Sequence, residues 1–274
     1  MKMVATEKVA SIVRKNLHRR ASMAVMDKYF LNRNDYYFRP YHEGGLSGKK
    51  QLAVPRSGIG TSFIVKSGDR ECACNEFIGL RLAKLLGINV PEGYLVLPKG
   101  NGYNVAIEYL PHQQKLSLEQ VKEDSILLRS YVHGVLAHCL FEDRDGIDFL
   151  FSRDMLFTFD FAEGFRLSDF SIMVMESQDQ LAFMHSPELI AKFAAPDVEY
   201  HPSTLLAYEL LVEDQAVCDK VYFDAALDEI CTRFLAIPDE EISGLLNALK
   251  SLYPSATAVH FEKYINEIRK FCCE

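Results

Sequence analysis

The chain has 274 residues, and 30 Lys+Arg against 38 Asp+Glu leave it at −8. With 49% hydrophobic and 25% charged residues it has the composition of a soluble globular protein, long enough to bury a core without staples. An acidic balance argues against general binding to a nucleic-acid backbone but leaves room for a local anion site. No apolar run reaches the length of a membrane span, and Met1–Asn16 lacks the apolar core and cleavage site of a secretory signal. The seven cysteines contain no CxxC pair, which points to free thiols in a reducing compartment.

In chain order, residues 6–31 read as a helix, with Thr6 as N-cap and Val9, Ile12, Val13 and Leu17 at helical spacing. Basic residues crowd its first part (Arg14, Lys15, Arg19, Arg20), a solvated face or a docking face for an acidic partner. Tyr36, Tyr37, Phe38 and Tyr41 predict a strand, followed by the glycine-rich loop Gly44-Gly45-Leu46-Ser47-Gly48. Strands are predicted at Gln51–Val54 and Thr61–Lys66, then a helix over Asn75–Leu86 that Gly87 would cap. Tyr94–Pro98 and Tyr103–Tyr109 read as paired strands. After Pro111 the texture turns helical: Ser117-Leu118-Glu119-Gln120 is a capping-box pattern, and Ile126–Phe141 is a long apolar helix. Short strands at Phe149–Phe151 and Leu156–Asp160 precede a helical remainder broken by prolines. The expected class is α+β: a small, mostly antiparallel β lobe with one helix over residues 34–110, then a larger, mainly helical lobe over 111–274, with 1–33 as an N-terminal helical segment and the whole a single domain.

Five features of this order carry chemistry. Glycines at Gly44, Gly45 and Gly48 let backbone N–H groups wrap phosphate oxygens. Lys66, at the end of Phe63-Ile64-Val65, supplies a point charge for phosphates. Glu76, with Glu71 as competitor, would hold Lys66 from the following helix. Asp143 and Asp148 share the segment Asp143-Arg144-Asp145-Gly146-Ile147-Asp148, where one carboxylate can orient a hydroxyl and the other hold a divalent cation. Asp160, after Leu156-Phe157-Thr158-Phe159, suits Mg²⁺. Each feature alone is more often a turn, a cap or a solvated side chain. In this order they are the parts of phosphoryl transfer from ATP.

Asn75-Glu76-Phe77 and Arg81-Leu82-Ala83-Lys84-Leu85-Leu86-Gly87-Ile88-Asn89-Val90-Pro91-Glu92 resemble the signature helix of HipA-like protein kinases. Leu46-Ser47-Gly48, Phe63–Lys66 and Ile107-Glu108-Tyr109-Leu110 lie where that family has its loop, lysine and hinge, so the resemblance runs from about residue 44 to 165. It implies a two-lobed protein-kinase-like fold and Ser/Thr kinase activity with ATP and Mg²⁺, Mn²⁺ being an alternative. Lys66 would contact the phosphates with Gly45, Ser47 and Gly48 over them, and Glu76 would pair with Lys66. Asp143 would be the catalytic carboxylate, Asp148 and Asp160 would bind metal, and backbone atoms of Glu108–Leu110 would hold adenine. Ser47 is the candidate for autophosphorylation.

The family usually has Asn where this chain has Asp148, which opens a second reading as an ATP-binding pseudokinase. A small-molecule or lipid-headgroup kinase is a third. The short stretch before Tyr36 leaves no room for the extra N-terminal subdomain of full-length HipA-like toxins, so a compact form is expected, its missing part on a separate partner or antitoxin chain. The expected substrate is a protein, with neither nucleic acid nor membrane as a direct partner, in the cytoplasm or, for a secreted effector, a host cytosol. Asp143, Asp148 and Asp160 are expected to form one acidic cluster that cations accompany. His133 and His138 have the wrong spacing for a helical metal pair and are expected to be core or hydrogen-bonded; Cys72 and Cys74 are expected to pack.

Overall fold

The computed structural model describes residues 28–42, 49–68, 70–97, 103–111, 116–141, 143, 147–162, 164–165 and 202–273. Most of the helix expected at 6–31, the loop Gly44–Gly48 with Ser47, and residues 144–146 lie outside the described residues.

Strands β1 (Phe30–Leu31), β2 (Tyr36–Tyr41), β3 (Lys49–Pro55), β4 (Phe63–Gly68), β5 (Gly93–Val96) and β6 (Tyr103–Glu108) form one sheet in the order β1-β5-β6-β4-β3-β2. All neighbours are antiparallel except β1, which runs parallel to β5 with Phe30 opposite Leu95. Phe30–Leu31 is thus a strand rather than the end of the expected helix. Both side chains are buried, and a parallel edge partner is a long-range choice that helical periodicity in the preceding residues does not reveal.

Alternation along the strands gives the sheet two apolar faces. Phe63 and Val65 share one face with Ala53, Val96 and Ala106. Ile64 and Lys66 lie on the other, opposite Ile107 and Val105 on β6. That second face is covered by helix α1 (Arg70–Leu85), whose Phe77, Ile78, Leu82 and Ala83 are fully buried. The helix begins before the expected Asn75, because Ala73 and Cys74 are already buried against the core. Gly87 ends it as expected. At φ +72° it occupies the left-handed region, while Ile88 N–H bonds Ala83 O at 3.0 Å and Gly87 N–H bonds Lys84 O at 3.0 Å, the two bonds of a Schellman cap.

The second lobe opens with α2 (Leu118–Glu123), capped by the anticipated Ser117–Gln120 box. Helix α3 (Ser125–Leu140) follows and is buried continuously from Val132 to Leu140. It packs on the hairpin β7 (Asp148–Ser152) and β8 (Met155–Phe159), on α4 (Pro202–Tyr208) and on α5 (Lys220–Leu235), which is why this helix carries no polar stripe there. Helices α6 (Asp239–Leu252) and α7 (Ser255–Phe271) complete the lobe. The lobes are tied by Arg233, which donates to Leu86 O at 2.7 Å, and by Lys28, paired with Glu241 at 2.6 Å. Among the described residues no helix is long and apolar enough to cross a membrane.

One close approach fixes how the hairpin meets α1. A Cβ at Gly79 would stand 2.4 Å from Cβ of Phe161, whose side chain is fully buried. Neither backbone has slack there, so Gly79→Ala is expected to destabilise the protein by about 1–3 kcal/mol through overpacking. Urea denaturation at neutral pH checks this; an unchanged midpoint would mean the approach is looser than the structure gives.

Candidate functional site

Strand register explains where Lys66 goes. It sits opposite Val105 and Lys50, on the face that α1 covers, so its side chain must enter the space between sheet and helix. There its Nζ lies 3.2 Å from Oε2 of Glu76 and 2.6 Å from Oδ1 of Asp160. Glu76 is thereby separated from its competitor: Glu76 is 1% exposed, whereas Glu71 is exposed.

Asp160 follows β8 with φ +70°, a left-handed conformation that Asp tolerates better than most residues. This kink directs the carboxylate to Lys66 and the next side chain, Phe161, into the core. Helix α1 holds the kink with three features of one face. Asn75 Nδ2 donates to Ala162 O at 2.9 Å, Glu76 shares Lys66 with Asp160, and Gly79 admits Phe161.

Burial would lower the Lys66 pKa, but Glu76 and Asp160 outweigh it and hold the ammonium above its ordinary value. Burial pushes the Glu76 carboxyl up to about 7 against the pull of Lys66. For Asp160, burial is outweighed by Lys66, and its carboxyl lies below the usual range. At neutral pH the site is thus a cation shared between one full carboxylate and one that is partly protonated. Glu76 Oε1 is buried with no hydrogen-bond partner, which fits its reluctance to ionise.

Asp143 has a different setting. Its side chain is 0% exposed, and Oδ2 lies 2.8 Å from Nδ1 of His138. The expected cluster of Asp143, Asp148 and Asp160 rests partly on side chains outside the described residues, but Asp143 does turn Oδ2 inward to an imidazole. The reason is the end of α3, where His138 is buried and supplies the partner that an inward carboxylate needs. Asp148 opens β7 opposite Phe159; its side chain lies outside the description. Among the described residues, no three His, Cys, Asp or Glu side chains gather as a metal site.

At the hinge, Glu108 N–H bonds Glu92 O and Tyr109 N–H bonds Ser62 O, each at 2.8 Å, so those two donors serve the protein itself. The Glu108 side chain is held by Arg153 at 3.0 Å, from the turn between β7 and β8. His133 and His138 are both buried, as expected, and Cys74 packs in the core.

Sequence reasoning passed over His138's partners, Gly79 and Lys50. Lys50 is placed opposite Lys66 across β3 and β4, and its charge helps hold Asp160 ionised. Like charges in register oppose one another. The facing of Lys50 and Lys66 is legible only once the register is known.

No protein-family model matches the sequence, and no curated protein matches it significantly. Among solved structures the chain is similar to the Helicobacter pylori proinflammatory kinase CtkA, at 15% identity over 86% of this chain and 92% of that one, with a TM-score of 0.52. It also matches a chain of the Shewanella oneidensis HipA–HipB toxin–antitoxin complex with operator DNA, at 14% identity over 87% of this chain and 63% of that one. The TM-score there is 0.42, too low to add to the fold assignment.

The folded state holds Glu76's proton more tightly than the unfolded chain does. Between the ordinary carboxyl pKa and about 7 it binds more protons, so stability through this group falls as pH rises across that window. Thermal melts from pH 5 to 8 are expected to show wild type losing stability relative to Glu76→Gln as pH increases; parallel curves would place the Glu76 pKa near its ordinary value. The likeness to CtkA agrees with the resemblance read from the residues, and the chain has a two-lobed protein-kinase-like fold.

Proposed function

We propose that the protein transfers the terminal phosphoryl group of ATP to a Ser or Thr hydroxyl of a protein. The observation that carries this reading is the Lys66 ammonium, bridged between Glu76 of α1 and Asp160 after β8, within a kinase-like fold. In such a reaction the protein's work is positioning and charge compensation rather than covalent chemistry.

Lys66, fixed by the buried Glu76, would bind phosphate oxygens, and Lys50 on the same face would add a second cation. Gly45, Ser47 and Gly48 would cover the phosphates. With the Glu108 and Tyr109 N–H groups engaged, Leu110 N–H is the donor we assign to adenine. Asp160, a hard oxygen ligand with its side chain 33% exposed, would hold Mg²⁺, with Asp148 as the second ligand. The cation, when bound, supplies charge neutralisation between the phosphates. Lys66 must then share or release Asp160 Oδ1, and Glu76 keeps the ammonium in place while it does. Asp143 would receive the acceptor proton. Its burial requires the acceptor to displace what covers it; catalytic hydrogen bonds commonly tighten only in the substrate complex. Autophosphorylation at Ser47, a separate antitoxin-like partner and a single domain over 1–274 belong to the same reading.

A second reading, ATP binding without transfer, is favoured by the fully covered Asp143 side chain and by Asp148 in place of the family's Asn. Incubation with Mg·ATP followed by phosphosite mass spectrometry tests the first. Phosphorylated Ser or Thr is expected, with Lys66→Met and Asp160→Asn lowering the rate at least about 10²-fold. A nucleotide-induced rise in Tm with no transfer, and gain of transfer in Asp148→Asn, would favour the second. Neither transfer nor a Tm shift would overturn both.

A further inference from the structure

We infer that His138 is a positioning residue that fixes the Asp143 carboxylate relative to the Asp160 turn. The inference rests on the phosphotransfer reading and adds a residue to it.

His138 lies near the end of α3 and is 1% exposed. Its Nδ1 is 2.8 Å from Asp143 Oδ2, and its Nε2 is 2.6 Å from Thr158 Oγ1. Its own carbonyl accepts the Asp143 N–H at 3.0 Å, so one residue grips Asp143 by backbone and side chain together. The ring stacks on Phe161, centroids 4.3 Å apart and planes 21° from parallel. Thr158 stands two residues before Asp160, and Phe161 directly after it. One imidazole therefore touches both flanks of the residue assigned to the metal and the side chain of the residue assigned to the acceptor.

The donor inventory settles the ring's orientation. A carboxylate only accepts, so Nδ1 carries the hydrogen toward Asp143; in the neutral ring Nε2 then accepts from the Thr158 hydroxyl. Hydroxyl, imidazole and carboxylate are connected as in a hydrolytic triad. Thr158 and His138 are each 1% exposed, and the Asp143 side chain 0%. No substrate meets that hydroxyl, so the chain orients and does not react. In-line transfer is sensitive to such placement, an error of about 1 Å costing on the order of 10²-fold in rate.

The test uses the full chain and steady-state transfer from Mg·ATP. An Asn amide nitrogen falls near the place of Nδ1, and a Gln amide nitrogen near that of Nε2. His138→Asn is expected to keep kcat within a few fold of wild type. His138→Gln is expected to lose about 10²-fold in kcat, with KM for ATP and the ATP-induced Tm shift unchanged. His138→Gln/Asp143→Asn should be no slower than Asp143→Asn alone. Equal losses in the Asn and Gln variants, or additive losses in the double variant, would overturn the inference and reduce His138 to packing. Should His138→Gln not fold, the near-isosteric Thr158→Val serves: kcat falls at constant KM if the chain orients Asp143, and an unchanged kcat overturns the proposal. The underlying reading fails separately, and takes the inference with it, if Asp143→Asn is as active as wild type or wild type transfers nothing.

Discussion

The Lys66 ammonium is 2.6 Å from one carboxylate and 3.2 Å from another, one exposed in part and the other fully buried. Without that cation, ionising the buried Glu76 in a low-dielectric interior would cost several kcal/mol, and the carboxyl would keep its proton instead. The consecutive elements β4, with the lysine, and α1, with the glutamate, must therefore meet the end of β8, which brings the aspartate from far along the chain. The pair Lys66–Asp160 joins the sheet lobe to the helical lobe, so the charge balance of the cleft is also part of what sets the lobes against each other.

Shape complementarity makes that meeting possible. Gly79 leaves α1 bare where Phe161 passes, and Asn75 on the same helix holds Ala162 O. Phe161 continues into an aromatic cluster, edge-on to Phe141 at 5.6 Å and stacked on His138. Phe141 stacks on Phe165 at 4.9 Å, and Phe165 N–H bonds Phe141 O at 2.6 Å. Phe161 is thus enclosed by α1 on one side and the end of α3 on the other. The placement of Asp160 is a packing result before it is an electrostatic one.

The proposed acceptor side is built by the opposite means. The Asp143 side chain is fully covered and faces an imidazole, while that of Asp160 is a third open and faces an ammonium. Two carboxylates of similar intrinsic acidity thereby acquire different environments, as the proposed division between a proton-handling and a cation-handling group requires.

Much of the fold was legible along the chain, because local rules decide it. The alternation of β4 and β6, the Ser117–Gln120 box and the Gly87 cap depend on neighbours within a few residues. The motif order around Lys66, Glu76 and Asp160 was legible too, since each residue type sits at the end of a recognisable element. The strand at Phe30–Leu31 was not, because its partner β5 lies far along the chain. Nor was the inward turn of Asp143, which depends on His138, Thr158 and Phe161 converging from two elements. The sequence by itself determined which charged residues are available and on which element each stands. Only the tertiary structure decided which are paired, buried or open, because burial and partnership come from contacts between segments that periodicity and spacing leave unspecified.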